Sequence, residues 1–305
     1  MALDLNKLTT ESRNEKSMLL DQMDSLQIVS LMNEEDSHVA EAVREVLPQI
    51  AKTVTWCVKG VKKGGRIIYI GAGTSGRIGL MDAVECPPTF GVSSELVVGL
   101  MAGGDSAFRK AAEGAEDNYE SGVRDLMNIS LRQQDVVIGL AASGRTPYVS
   151  GALKYAKEIG CKTVGVACNR GAEIGLEADL AIEPMTGAEV LTGSTRLKAG
   201  TAQKMILNMI STATMVGLGK VYENLMVDVL QSNKKLNVRA ENIVVSACGC
   251  SCEMAAEKLE EAKGNVKLAI IMIFLGCNAG EAQKRLEEAD GHIRRVLKLA
   301  DSEKS

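Results

Sequence analysis

Residues Arg66-Ile67-Ile68-Tyr69-Ile70 form a short β-branched run that stops abruptly at Gly71-Ala72-Gly73-Thr74-Ser75-Gly76. A run that is apolar at consecutive positions reads as a strand buried on both faces, and the glycines after it read as a tight turn into a helix. Burial of both faces requires helices above and below the sheet. Comparable runs recur at residues 95–100, 135–140, 162–167 and 178–182, separated by segments long enough for helices. Strands alternating with helices imply an α/β fold with a parallel sheet. The chain has 305 residues, 46% of them hydrophobic, enough for one large core or one core with a small satellite, and neither disordered nor collagen-like.

Ahead of the first strand, residues 34–61 carry Val39, Val43, Val46, Leu47, Ile50 and Val54 at helical spacing. Residues 194–230 read as long helix. Beyond residue 242 an internal repeat emerges: Leu259-Glu-Glu-Ala-Lys-Gly264-Asn-Val-Lys267 matches Leu286-Glu-Glu-Ala-Asp-Gly291-His-Ile-Arg294. Each copy reads as a helix closed by a glycine and followed by a second helix. Two copies are too few for a solenoid, so a small helical bundle is expected.

With 35 basic and 39 acidic residues, a net charge of -4 and no basic cluster, nucleic acid is not an expected partner. The longest apolar stretches, such as residues 268–275, fall short of the roughly 20 residues that span a bilayer, so no transmembrane helix is expected. The opening Met1-Ala2-Leu3-Asp4 lacks the basic-then-apolar pattern of a signal segment, and the expected location is cytoplasmic. The 8 cysteines are scattered through apolar runs and read as reduced thiols. Cys248-Gly-Cys250-Ser-Cys252 is spaced too tightly for a usual zinc pair, so no metal is expected. His38 and His292 read as surface or packing residues, and Trp56 and Met205 to Met215 as core or subunit contacts.

The loop Gly71-Ala-Gly73-Thr-Ser-Gly76 fits the G-x-G-x-x-G pattern of dinucleotide folds. Such folds also place an acidic residue near the end of the second strand, and here the first acid, Asp105, lies beyond two glycines. The loop offers instead two hydroxyls, Thr74 and Ser75, where a helix should begin. Backbone N–H groups, the helix dipole and short hydroxyls together suit a phosphate. The third strand repeats the arrangement, running into Ala141-Ala-Ser143-Gly144-Arg145-Thr146-Pro147, with Pro147 fitting a first helical turn and Thr146 its N-cap. For either loop alone, hydroxyls that merely cap helices explain the residues equally well. The pair at one sheet edge favours a single phosphorylated ligand. Two prolines, Pro87 and Pro88, are expected to end the first helix just after Glu85, and further carboxylates, Glu113, Glu116 and Asp117, fall on an expected helix after the second strand.

Several of these stretches together resemble the N-acetylmuramic acid 6-phosphate etherases of the sugar isomerase (SIS) superfamily. They are Thr9-Thr10-Glu11-Ser-Arg13-Asn14, Gly71-Ala-Gly-Thr-Ser-Gly-Arg77, Glu85-Cys-Pro-Pro-Thr89, Ala141-Ala-Ser-Gly-Arg-Thr-Pro147 and Leu191-Thr-Gly-Ser-Thr-Arg-Leu-Lys198-Ala-Gly-Thr201. The resemblance covers nearly the whole chain, including Gly249-Cys250-Ser251 and Gly264-Asn-Val-Lys-Leu-Ala-Ile270. It implies a three-layer αβα SIS fold with a five-stranded parallel sheet at residues 61–235, an N-terminal helical segment at 1–60 and a C-terminal helical, UBA-like domain at 236–305. It also implies loss of D-lactate from N-acetylmuramate 6-phosphate to give N-acetylglucosamine 6-phosphate, in a homodimer, with no metal or redox cofactor.

The family's two acid/base glutamates correspond by motif to Glu85 and Glu116. By superfamily resemblance Thr74, Ser75, Ser143, Gly144 and Thr146 form the phosphate-binding loops, with Ser194 lining the pocket; Glu189 and Lys198 are weaker candidates with no role given. A glutamate whose pKa is raised by burial could take a proton from the carbon beside the open-chain aldehyde and later return it. Two alternatives share the superfamily: a non-catalytic sugar-phosphate-sensing regulator, and an aldose–ketose isomerase.

Overall fold

The computed structural model describes residues 9–228 and 234–303; Met1 to Asp4 and Leu230 lie outside them. By packing, the chain forms two compact units. One takes the described residues up to Val84 together with Ser94–Ser211, and the other takes Glu85–Ser93 together with the described residues from Thr212 onward.

In the first unit, helices α1 (Ser25–Ser37), α2 (Val39–Arg44) and α3 (Leu47–Lys62) precede the sheet. Asp24 starts α1 through a capping box with Gln27, and Pro48 sits in the first turn of α3, where its missing N–H costs nothing. Strands β1 (Ile67–Gly71), β2 (Val97–Met101), β3 (Val136–Leu140), β4 (Lys162–Val166) and β5 (Leu180–Ile182) form one sheet in the order β2-β1-β3-β4-β5. All four pairings are parallel. Every residue of β1 and β3 is buried, as consecutive apolar runs require.

Between the strands run α4 (Gly73–Phe90), α5 (Ser106–Arg109), α6 (Tyr119–Asn128), α7 (Pro147–Ile159) and α8 (Glu173–Glu177), and α9 (Lys198–Gly217) follows β5. One core cluster joins Ile68, Ile70 and Val137 of the sheet to Leu126 of α6 and to Tyr148, Val149 and Leu153 of α7. At the start of β1 and β3, Arg66 and Asp135 form a buried ion pair at 2.7 Å, and the Arg66 main-chain N–H also donates to that carboxylate at 2.8 Å. The two central strands are therefore fixed in register at one edge, and their opposite ends are positioned with them.

The second unit holds a hairpin, β6 (Val221–Tyr222) and β7 (Leu225–Met226), and helices α10 (Lys234–Cys248), α11 (Cys252–Glu261), α12 (Val266–Leu275), α13 (Ala279–Glu288) and α14 (Ile293–Glu303). The apolar α12 is the centre of its core, packed by Ala240, Val244, Leu259, Leu286 and Val296. The internal repeat is structural: the Gly264 N–H donates to Leu259 at 2.8 Å and the Gly291 N–H to Leu286 at 2.9 Å. Both glycines lie at positive φ, the left-handed closure the sequence leads one to expect.

Two expectations fail. Pro87 and Pro88 do not end α4, which continues to Phe90 and closes at Gly91, whose φ is +61°. Each proline removes one helical donor, and the helix tolerates the loss over its final turn. The expected long helix at 194–230 ends at Gly217 and turns at Gly219 into the hairpin; the apolar residues Tyr222 and Val227 that mimic helical spacing belong to the second unit's core. The eight cysteines, all among the described residues, are not joined in disulfides. Among the described residues no single helix is long and apolar enough to cross a membrane.

Candidate active site

The strand order places β1 beside both β2 and β3, so the chain switches direction across the sheet between β1 and β3. At such a switch point two loops part from adjacent strand ends and leave a crevice where ligands of α/β folds bind. Gly71 pairs with Leu140, which puts the loop at Ala72–Ser75 next to the loop at Ala141–Thr146. Thr74, Ser75, Ser143, Gly144 and Thr146 are thereby brought to one edge.

In the first loop Gly73 adopts φ +54° at the start of α4. Ser75 is buried and its hydroxyl donates to Gln203 Oε1 at 2.9 Å, while Thr74 is half-buried. Gln203 is fully buried in α9, and its amide nitrogen has no hydrogen-bond partner among the described residues. In the second loop Gly144 sits at φ +78°, and a Cβ there would overlap the side chain of Ala172. The half-buried Ser143 accepts a bond from the Arg145 main-chain N–H at 3.4 Å. Thr146 takes the N-cap position of α7 with Pro147 in the first turn, but its side chain makes no capping bond. Amides and hydroxyls at two neighbouring helix starts form a donor set for an anion.

Asn169, just past β4, holds this edge together. Its Oδ1 accepts from the Thr9 hydroxyl at 2.8 Å and from the Thr10 N–H at 3.4 Å. Its Nδ2 donates to the Thr10 hydroxyl at 3.0 Å and to the carbonyls of Ala142 and Ser143 at 3.3 and 3.4 Å. The N-terminal Thr9-Thr10 segment is thus tied to the Ser143 loop. Sequence reasoning assigned Asn169 and Gln203 no role. The available signal was a polar side chain at a strand end, and another on the apolar face of a helix.

Glu189 and Lys198 bracket the half-buried Ser194. The buried Glu189 carboxylate accepts the main-chain N–H groups of Lys198 and Ala199 at 2.9 and 3.0 Å, capping α9. Burial pushes its pKa up, against the lowering effect of those two bonds. Lys198 is itself buried, and its Nζ donates to Glu35 Oε2 at 2.7 Å. Asn14 Nδ2 donates to the same oxygen at 2.8 Å, and Lys16 pairs with the other at 3.2 Å. Burial pushes the Glu35 carboxyl up, but the bonds from Lys198, Asn14 and Lys16 outweigh it and hold it at about 2. Both residues therefore shape the Ser194 loop. Thr195, the next residue, and Thr74 both flank Gly200, which links that loop to the first.

Glu116 does not lie on an α-helix. Gly114, at φ +72°, interrupts the segment, and a 3-10 turn at Ala115–Asp117 carries the glutamate ahead of α6. It borders a cavity of about 200 Å³ lined also by Gly73, Arg77, Ala102 and Glu113. Arg77 donates to the carbonyls of Ala107 and Phe108 at 2.7 and 3.0 Å, fixing α5 beside that cavity. Glu85 lies on α4 within the second unit. Both glutamates are exposed, so neither has the burial expected of the acid/base residue. Among the described residues no group of three or more His, Cys, Asp or Glu is gathered to hold a metal ion.

The parallel sheet and its flanking helices are those of an SIS-domain protein. Residues 113–213 match the SIS domain, and residues 49–157 match the glucokinase regulatory protein N-terminal SIS domain. N-acetylmuramic acid 6-phosphate etherases of Bacillus cereus and of Geobacillus sp. (strain WCH70) are each 57% identical to this chain over 89% of it and 92% of their own length. The chain belongs to the N-acetylmuramic acid 6-phosphate etherase family. Among solved structures, a phosphoheptose isomerase from Neisseria gonorrhoeae superposes with a TM-score of 0.48 at 14% identity, over 63% of this chain and 99% of that one.

Proposed function

We propose that this chain is a carbon–oxygen lyase that cleaves the D-lactyl ether of N-acetylmuramate 6-phosphate, releasing D-lactate and N-acetylglucosamine 6-phosphate in cell-wall amino-sugar recycling. The observation that carries this reading is the family match, 57% identity over 89% of the chain. The paired loops after β1 and β3 supply the donors that a sugar phosphate needs.

In this reading Ser143, Thr146 and the loop amides hold the phosphate, helped by Thr74, Ser75 and Gly144, and Ser194 lines the sugar pocket. Glu85 takes the proton from the carbon next to the open-chain aldehyde. Lactate leaves from the neighbouring carbon with the ether oxygen, and water adds to the resulting alkene as the first carbon is reprotonated. Glu116 is assigned the partner acid/base role. General acid–base catalysis of this kind contributes on the order of 10²- to 10⁴-fold per step. Both carboxylates are exposed, so the abstracted proton can exchange with solvent before it is returned.

The sensing and isomerase alternatives are not favoured, since the relatives 57% identical to this chain are etherases. A cytoplasmic location follows from a phosphorylated sugar that cannot diffuse through a membrane; a homodimer, free of metal or redox cofactor, is carried over from the family resemblance. Incubation with N-acetylmuramate 6-phosphate tests the function: stoichiometric D-lactate supports it, and binding without lactate release contradicts it.

A further inference from the structure

The repeat in the second unit has no part in the chemistry so far, yet its two copies share one costly feature. Each places a cation in the first turn of its second helix, Lys267 in α12 and Arg294 in α14, where the helix dipole disfavours positive charge. Arg294 reaches back to the hairpin turn and Lys267 to the residue two positions past β7. Arg294 pairs with Glu223 at 3.2 Å, with side chains 58% and 53% exposed, a surface contact of little energetic weight. Lys267 is different: its side chain is 7% exposed and its Nζ lies 2.8 Å from Asp228 Oδ2. Burial pushes its pKa down, and the Asp228 carboxylate opposes that shift. Lys220 meets the same oxygen at 2.9 Å, so Asp228 is held by two cations at once.

The main chain of Asp228 in turn packs on Gly91. A Cβ on Gly91 would overlap the Asp228 carbonyl oxygen, and the glycine's φ of +61° admits no ordinary side chain without strain. The Gly91 N–H donates to Pro87 at 2.9 Å and closes the end of α4 that carries Glu85. Glu85–Ser93 and the C-terminal helices form one compact unit.

We propose that Lys267 is a positioning residue for Glu85: by pinning Asp228 against Gly91 it sets the pose of the helix end that presents the carboxylate. The C-terminal helices are then the mount of the acid/base rather than an appendage. The inference rests on the assignment of Glu85 to proton transfer.

Steady-state lactate release by Lys267→Met, Asp228→Asn, Arg294→Gln and Glu85→Gln tests it. The first two should lower kcat by about tenfold or more while KM stays within about twofold, since the phosphate loops lie in the other unit and a carboxylate displaced by about 1 Å loses rate rather than binding. Arg294→Gln, the matched cation of the other repeat, should turn over like wild type. Wild-type kcat in Lys267→Met or Asp228→Asn overturns the proposal. If Lys267→Met does not fold, Asp228→Asn decides by the same split, and unfolding of both overturns the proposal in favour of a purely structural ion pair. An active Glu85→Gln removes the underlying assignment instead, and shows it in a variant that leaves Lys267 untouched.

Discussion

Ser75 gives its only hydroxyl proton to Gln203 at 2.9 Å, whereas Ser143 accepts its bond, from the Arg145 N–H at 3.4 Å, and keeps its proton for another partner. The two serines sit on adjacent loops, yet only one is free to donate to an anion without breaking a buried bond.

Ser143→Ala should therefore weaken a phosphorylated ligand more than Ser75→Ala does. A lost charge-assisted hydrogen bond is worth about 1.5–3 kcal/mol, roughly ten- to a hundredfold in Kd. Calorimetry with N-acetylglucosamine 6-phosphate, against the unphosphorylated sugar as control, measures this. Ser75→Ala should show its effect chiefly as a lower Tm, because it leaves the Gln203 amide with neither group paired. The reverse ranking of the two variants would refute the assignment.

Acid should destabilise the first unit through Glu35. Its folded pKa, about 2, lies below the ordinary 4.5, so the stability it contributes is complete above pH 4.5 and is lost as pH falls toward 2. Glu35→Gln should flatten the stability profile over that interval, measured by denaturant unfolding at stepped pH. The buried Glu189 shifts the opposite way and contributes no loss on acidification. An unchanged slope in Glu35→Gln would contradict the network.

Lys198→Met removes the ammonium and leaves the Glu35 carboxylate buried. Breaking such a pair costs about 3–5 kcal/mol, and Asn14 and Lys16 should hold the loss toward the lower figure. Chemical denaturation reads this directly. A loss under about 1 kcal/mol would mean that the pair offsets only its own desolvation.

The strands were legible because buried parallel strands are written as short β-branched runs, and the observed bounds follow those runs within a residue or two. The hydroxyl loops were legible for a related reason, since glycine and a helix start must coincide at a strand end. The partners of the site were not. Glu35 and Lys198 are 163 positions apart in the chain and Ser75 and Gln203 are 128 apart, and no local pattern encodes such pairs. The continuation of α4 through Pro87 and Pro88 was missed because proline propensity weighs against a helix that packing sustains.

Glu116→Gln should retain phosphate binding and lose turnover, as should Glu85→Gln, because an amide keeps the size and cannot exchange a proton. Expected losses are on the order of 10²-fold or more in kcat. Wild-type rates in either variant would strip that residue of its role.

The central claim is that the sugar carbon–oxygen bond breaks by elimination and is rebuilt by water. Turnover in water enriched in heavy oxygen, followed by mass spectrometry of both products, tests it most directly. Label is expected on the newly formed sugar hydroxyl and none in the lactate hydroxyl, with deuterium from heavy water on the carbon next to the aldehyde. Heavy oxygen in the lactate hydroxyl would mean hydrolysis at the lactyl carbon, and would contradict both the elimination and the proton-abstracting role of Glu85.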